Sequence, residues 1–175
     1  MAYAVVRTDK LMGTDVRSML ESVKFLGSDG ATPTAIENGN VLKVGALEAI
    51  DATTGVYERE VKVGSVPAAS DELDDIVLVA TPEVMYDERK RSMTEFRNEA
   101  GAIVRGYHLH SGDIFSVTKD ALDGVATPAI GNVVELKAGT KLNVALSATS
   151  GSTQVGKILA IDVVGRLTYY VIQVA

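Results

Sequence analysis

Two runs of alternating apolar and polar residues, Val155–Val164 and Leu167–Val174, constrain the fold of this chain most strongly. In the first run, Ile158, Ala160 and Asp162 alternate with Leu159, Ile161 and Val163. A period of two is typical of a β-strand, and the dipeptide Gly165-Arg166 between the runs is typical of a tight turn. The sequence therefore predicts a C-terminal hairpin. Because no polar tail follows its second strand, we expect that strand to lie inside the sheet.

Two further stretches, 29–63 and 123–163, draw on a similar set of turn residues. Asn38-Gly39 predicts a type I′ hairpin turn, which needs positive φ at both centre positions, and Thr53-Thr54-Gly55 separates two further apolar runs. The stretches align with small gaps, and Gly39-Asn40-Val41 matches Gly131-Asn132-Val133. This match fits two interpretations: both stretches use the same residue types in their turns, or one β unit is duplicated within the chain.

The segment 64–100 between them is the least β-like part, and we interpret it as an insertion of loop and helix. The acidic stretch 71–75 predicts a solvated turn. The continuous apolar run 76–80 predicts a strand that is buried on both faces. One short helix is expected at about 82–99, with Thr81 as its cap and an apolar stripe at helical spacing.

Composition supports a single mainly β domain over 1–175, a barrel or sandwich of antiparallel hairpins. Hydrophobic residues make up 46% of the chain but include only six tyrosines, three phenylalanines and no tryptophan, so the core consists mostly of aliphatic, largely β-branched residues. The net charge of −6 disfavours direct binding to nucleic acid. The absence of cysteine excludes disulfides and thiolate metal sites. No segment approaches the ~18 apolar residues of a membrane span, so no membrane association is expected.

The stretch 101–118 contains both histidines and a turn signal at Ser111-Gly112-Asp113, between two predicted strands. His108 and His110 would lie on one face of a strand, as paired metal ligands do in small β-barrels such as the cupins. Cupins add a glutamate and a third histidine, whereas Asp113 is the only nearby carboxylate here. These three residues are therefore weak metal candidates, and a structural role is the expectation.

The spacing of the remaining polar residues does not indicate an enzyme. Ser111-Gly112-Asp113 lacks the glycine-flanked elbow of a hydrolase, and the glycines form neither a phosphate loop nor a dinucleotide fingerprint. We therefore expect no catalytic residues and no cofactor.

Three segments resemble a known class of structural proteins: Glu37–Val41, Gly106–Leu109 and Gly112–Thr118. With the acidic, cysteine-free and glycine-punctuated β pattern, they are similar to the head decoration, or cement, proteins of tailed bacteriophages. The resemblance implies a virion protein, made in the host cytoplasm, that binds the outer surface of the capsid. It further implies that the protein self-associates, often as a homotrimer, and ties neighbouring major capsid protein subunits together.

Residues 1–13 are interpreted as an N-terminal arm or edge strand, because 2–8 alternate before the first turn signal. Residues 14–24 fit a helical turn and a strand about equally. Since an edge strand can pair with a neighbouring sheet, the arm predicts the capsid-binding residues Tyr3, Val5, Val6, Arg7 and Lys10. The alternatives are a phage tail or connector ring subunit, a cupin-like metal-binding domain, and a carbohydrate-binding domain with an exposed tyrosine platform.

Overall fold

A computed structural model describes residues 3–7, 20–51, 56–85 and 92–175, with the backbone alone at 49–51 and 56–59. Strands dominate these residues, and three short 3-10 turns, Leu73–Asp75, Met93–Glu95 and Lys119–Ala121, are the only helical segments among them. The mainly β fold class is therefore confirmed. The strands are β1 Leu20–Phe25, β2 Val41–Asp51, β3 Val56–Ser65, β4 Ile76–Val79, β5 Ile103–His108, β6 Ile114–Thr118, β7 Leu122–Gly124, β8 Val133–Glu135, β9 Leu142–Ala145, β10 Gln154–Val164 and β11 Leu167–Val174.

The first five strands close into a barrel in the order β1-β3-β2-β4-β5. Strand β1 closes it by pairing with β5 in antiparallel and with β3 in parallel orientation. The predicted hairpin around Thr53-Thr54-Gly55 is present as the antiparallel pair β2–β3, although the turn residues themselves lie outside the described residues. A closed barrel leaves no free edge along its paired strands.

The remaining strands form a second sheet in the order β6-β11-β10-β8-β9-β7. Its two end strands, β6 and β7, are consecutive in the chain and are separated only by the 3-10 turn Lys119–Ala121, so the sheet curls back towards its start. The predicted C-terminal hairpin is the antiparallel pair β10–β11, and β11 lies between β6 and β10, inside the sheet. We call this sheet, with its core, the second barrel.

The two barrels share one topology. In the first barrel, β1 pairs in antiparallel orientation with the last strand, β5, and in parallel orientation with the third, β3. In the second barrel, β6 and β7 together take the place of β1: β6 pairs in antiparallel orientation with the last strand, β11, and β7 pairs in parallel orientation with β9. The matched tripeptides also occupy equal positions. Gly39 N–H donates to Val79 O at 2.8 Å, and Gly131 N–H donates to Ile158 O at 2.8 Å. The duplication itself stays a prediction, which this shared topology supports.

Strand β4 joins the two barrels, and all four of its residues are buried, as the continuous apolar run predicts. Val77 and Val79 belong to the core of the first barrel. Ile76 and Leu78 belong instead to a larger cluster that includes Phe115, Leu142 and Ile172 of the second barrel. Because successive strand residues point to opposite faces, one strand contributes to both cores.

Two local predictions differ from the structure. The helix expected at about 82–99 is wrong for the described part of that range: residues 82–85 are irregular, and 93–95 form a single 3-10 turn closed by a capping box between Ser92 and Glu95. The type I′ hairpin at Asn38-Gly39 is also wrong. Only Gly39 has positive φ, at 84°, and the turn precedes β2 without joining two adjacent strands.

Candidate functional site

The interior of the first barrel changes from apolar to polar towards the end of β5. Val104 lies in the apolar core, and Gly106 and His108 follow it on the same face. Gly106 is required for close packing, because a Cβ atom there would lie 2.7 Å from Cγ2 of Val77. His108 is 7% exposed and therefore points into the barrel.

Three side chains from three strands form a polar cluster at this end of the barrel: Glu21, Lys62 and His108. The Lys62 Nζ atom lies 2.6 Å from Glu21 Oε1, and His108 Nε2 lies 3.4 Å from the same oxygen. Glu21 is paired with Gly106, and Lys62 is paired with Val23, so all three side chains share the inner face. We call this group the polar cluster.

The polar cluster contains an ion pair beside an imidazole, but it offers few side-chain atoms that could bind a metal ion. Glu21 Oε2 and His108 Nε2 are buried and have no hydrogen-bond partner among the described residues. Lys62 is 39% exposed at its side chain, so the cluster reaches solvent on that side. The described part of the chain contains no group of three histidine or acidic side chains that could hold a metal ion. A glutamate, a lysine and a histidine in contact fit an ion pair with a neighbouring imidazole.

The predicted pair His108 and His110 does not share one environment. β5 ends at His108, and His110 follows in the connection to β6, with its side chain 51% exposed. There, the His110 backbone N–H donates to Asp113 Oδ2 at 2.9 Å, while His110 Nδ1 is 3.7 Å from that oxygen. Asp113 therefore fixes the turn that joins the two barrels. The predicted turn at Ser111-Gly112-Asp113 is present, with Gly112 at φ 92°.

The predicted arm residues contribute largely to the fold of their own chain. Val5 and Val6 are fully buried, and Val6 forms an antiparallel bridge with Val117 of β6. Arg7 pairs with Asp162 at 3.1 Å and lies over the ring of Tyr169. Tyr3 is partly buried next to Arg97, and Lys10 lies outside the described residues. The side chains of Val5 and Val6 are covered by their own chain in this conformation, and the capsid-binding role of the arm stays a prediction.

Exposed apolar side chains lie on both barrels. On the first, Leu20 and Ile103 are 54% and 40% exposed and line a groove of about 380 Å³. On the second, a groove of about 520 Å³ is lined by Ile130, Leu159 and the C-terminal residue Ala175. Six large apolar residues of the second barrel are exposed: Ile130, Leu146, Leu159, Ile161, Val163 and Val164. We call the two groups the first and the second apolar patch.

Sequence comparison does not assign the chain to a family. No protein-family model matches it, and no curated protein matches it either. None of the helical segments in the described residues is long and apolar enough to cross a membrane.

Sequence reasoning identified His108 but missed its partners Glu21 and Lys62. A signal for Glu21 exists, because Glu21, Val23 and Phe25 alternate on one face of β1, and the two apolar members are buried. Lys62 meets Glu21 through the parallel pairing of β1 with β3, which joins segments about forty residues apart. No local pattern predicts that pairing.

Proposed function

We propose that this chain is a structural virion protein that binds the outer surface of a tailed-phage capsid and ties neighbouring major capsid protein subunits together. One observation carries the proposal: each barrel has its own exposed apolar patch, so one chain offers two surfaces for contact. Exposed apolar groups of this kind are typical of protein interaction sites. The sequence resemblance to head decoration proteins supplies the identity of the partner.

Bridging requires two contact surfaces on one rigid body. The core shared through β4 holds the two barrels together, so that a force on one is transmitted to the other. Each contact can be weak, because many copies on one lattice gain by multivalency.

The test is co-sedimentation of the purified chain with empty expanded phage heads. We expect binding that saturates at a fixed ratio of chain to major capsid protein. Ile103→Lys should weaken this binding about tenfold, because a charged group would have to be desolvated where an apolar side chain is now buried on contact. Ser150→Lys, which adds the same charge at an exposed loop position outside both patches, serves as the matched control.

Three results would contradict the proposal: no binding to heads at any concentration tested, equal weakening by Ile103→Lys and Ser150→Lys, or a closed ring in solution that does not bind heads. The ring would favour the tail or connector alternative. Thermal unfolding of both variants in the absence of heads establishes that each is folded.

A further inference from the structure

Strand β10 extends well beyond its neighbour β8. The register of β8 covers only Gln154–Lys157 of β10, and Ile158 forms the last bonds on that side, with Gly131 and Asn132. On its other side, β10 stays paired with β11 as far as Val164. From residue 159 to 164, no strand in the described part of the chain lies next to the outer edge of β10.

The hairpin turn determines which backbone groups face that open edge. Gly165, with φ 62°, and Arg166 form a two-residue turn, so the flanking pair Val164–Leu167 exchanges both backbone bonds. Hydrogen-bonded and non-hydrogen-bonded pairs alternate along an antiparallel ladder, so Val164 and Asp162 form backbone hydrogen bonds with β11. The N–H and C=O groups of Ile161 and Val163 therefore point away from β11. No described residue forms a hydrogen bond with these four groups.

The side chains along this edge are mostly apolar, as in a strand that is covered by a neighbouring strand or chain. Leu159, Ile161 and Val163 are 50%, 40% and 67% exposed. Soluble proteins usually protect such an edge with lysine, proline or an inward charge. The stretch 159–164 has only Asp162, whose charge is compensated by Arg7 of the same chain at 3.1 Å.

We propose that this edge, residues 159–164, pairs in antiparallel orientation with the same edge of a second copy of the chain. A two-fold axis at Ile161 brings Ile161 opposite the partner's Ile161, and it brings Val163 to the partner's Leu159, which lies in the register shift between Ile158 and Ala160. Asp162 then lies opposite the partner's Ala160, so the register avoids placing two carboxylates directly opposite each other. Apolar residues meet apolar residues on both sides of the axis.

The self-complementary register favours a second copy as the occupant of this edge, and the charge at the edge does not oppose it. Two chains with a net charge of −6 each repel one another, so self-association needs a surface with little net charge. The edge meets this condition, because its one acidic residue is already ion-paired within the chain. The contact uses the same residues on both copies, so it closes at two copies and differs from the homotrimer that the family resemblance implies. It does not depend on binding to phage heads.

A cysteine-free chain allows a direct test with one introduced thiol. In Ile161→Cys, the two-fold axis would place the thiols of two copies opposite each other, with Cα atoms about 5.5 Å apart, within the range of a disulfide. We expect mild oxidation to convert most of this variant to a covalent dimer. Ser28→Cys, at an exposed turn position of the first barrel, should stay mostly uncross-linked.

Mass measurements by light scattering provide the second readout. We expect wild type to have twice the 18.5 kDa mass of one chain and Val163→Pro to be a monomer. Proline removes an N–H that faces the open edge and leaves the bonds to β11 in place. Ile161→Lys adds a charge at the axis and should also be a monomer. This second variant provides the test if Val163→Pro does not fold.

The proposal is overturned by a monomeric or trimeric wild type, by equal cross-linking of both cysteine variants, or by dimers that persist in folded Val163→Pro and Ile161→Lys. If wild type is a monomer, amide hydrogen exchange shows whether the edge is open or is covered by another part of the same chain. Protection of Ile161 and Val163 in a monomer would show that the edge is covered within a single chain.

Discussion

Glu135 of β8 illustrates, at the scale of one residue, how the second barrel stabilises a buried charge. Its carboxylate is 1% exposed and accepts bonds from Asn143 Nδ2 at 2.8 Å and from Thr149 N–H and Oγ1 at 2.9 and 2.7 Å. Burial raises the pKa of Glu135, but these hydrogen bonds outweigh burial and lower it overall. Glu135→Gln should therefore reduce the free energy of unfolding by about 1.5–3 kcal/mol at neutral pH.

The sign of the pH dependence follows from this lowered pKa. The stabilisation by Glu135 is fully present above the ordinary pKa of the group and is lost as the pH falls through its folded-state pKa. Urea unfolding from pH 7 to pH 3 should therefore show the gap between wild type and Glu135→Gln narrowing in acid. A gap that stays constant would mean that the carboxylate charge does not contribute.

Asp29 shows the same effect at an exposed position. Hydrogen bonds from the Thr32 hydroxyl at 2.6 Å and from the N–H groups of Thr32 and Ala31 lower its pKa to about 2. We expect an NMR titration to give this pKa in wild type and a higher one in Thr32→Val. Thr34→Val, whose hydroxyl donates to Thr32 O, should leave the titration unchanged.

At the scale of one element, β10 depends on a close approach that only glycine allows. A Cβ atom at Gly156 would lie 2.8 Å from the carbonyl carbon of Gln173 in β11. Gly156→Ala should therefore reduce the free energy of unfolding by about 3 kcal/mol, measured by urea unfolding. Gly131→Ala is the control, because a Cβ atom at Gly131 would meet no other atom within 4 Å. Gly131 has a φ of 88°, so backbone strain alone should reduce the free energy of unfolding by roughly 1–2 kcal/mol. Equal effects would show that contact with β11 is unimportant.

The strands with local signals and their hairpin partners could be predicted from the sequence, whereas the pairings between strands distant in the chain could not. Period-two alternation and Gly165-Arg166 predicted β10 and β11, and the apolar run predicted a doubly buried β4. In its described part the helix at about 82–99 failed, because the apolar residues at helical spacing there do not form a buried face: Met93 is 37% exposed and Phe96 is only partly buried. The barrel closure and the contact between Glu21 and Lys62 depend on the parallel pairing of β1 with β3, which no local period encodes.

At the scale of the whole molecule, the question is whether two barrels of equal topology unfold separately or together. Each has its own apolar interior, and Leu42 belongs to that of the first barrel alone. Leu78 belongs to the cluster that continues into the second barrel, through Phe115 and Ile172. Both leucines are fully buried, so leucine-to-alanine substitutions at the two sites remove the same atoms from different cores.

We expect the barrels to unfold as one cooperative unit, because β4 contributes to both cores and neither barrel can open without exposing part of the other. Leu42→Ala and Leu78→Ala should each cost about 2–5 kcal/mol. Native-state hydrogen exchange should show either substitution lowering the opening free energy of the slowest amides in β11 as much as in β4. If Leu42→Ala instead leaves β11 unchanged while β4 loses protection, the first barrel opens alone, and the chain transmits little force between its two apolar patches.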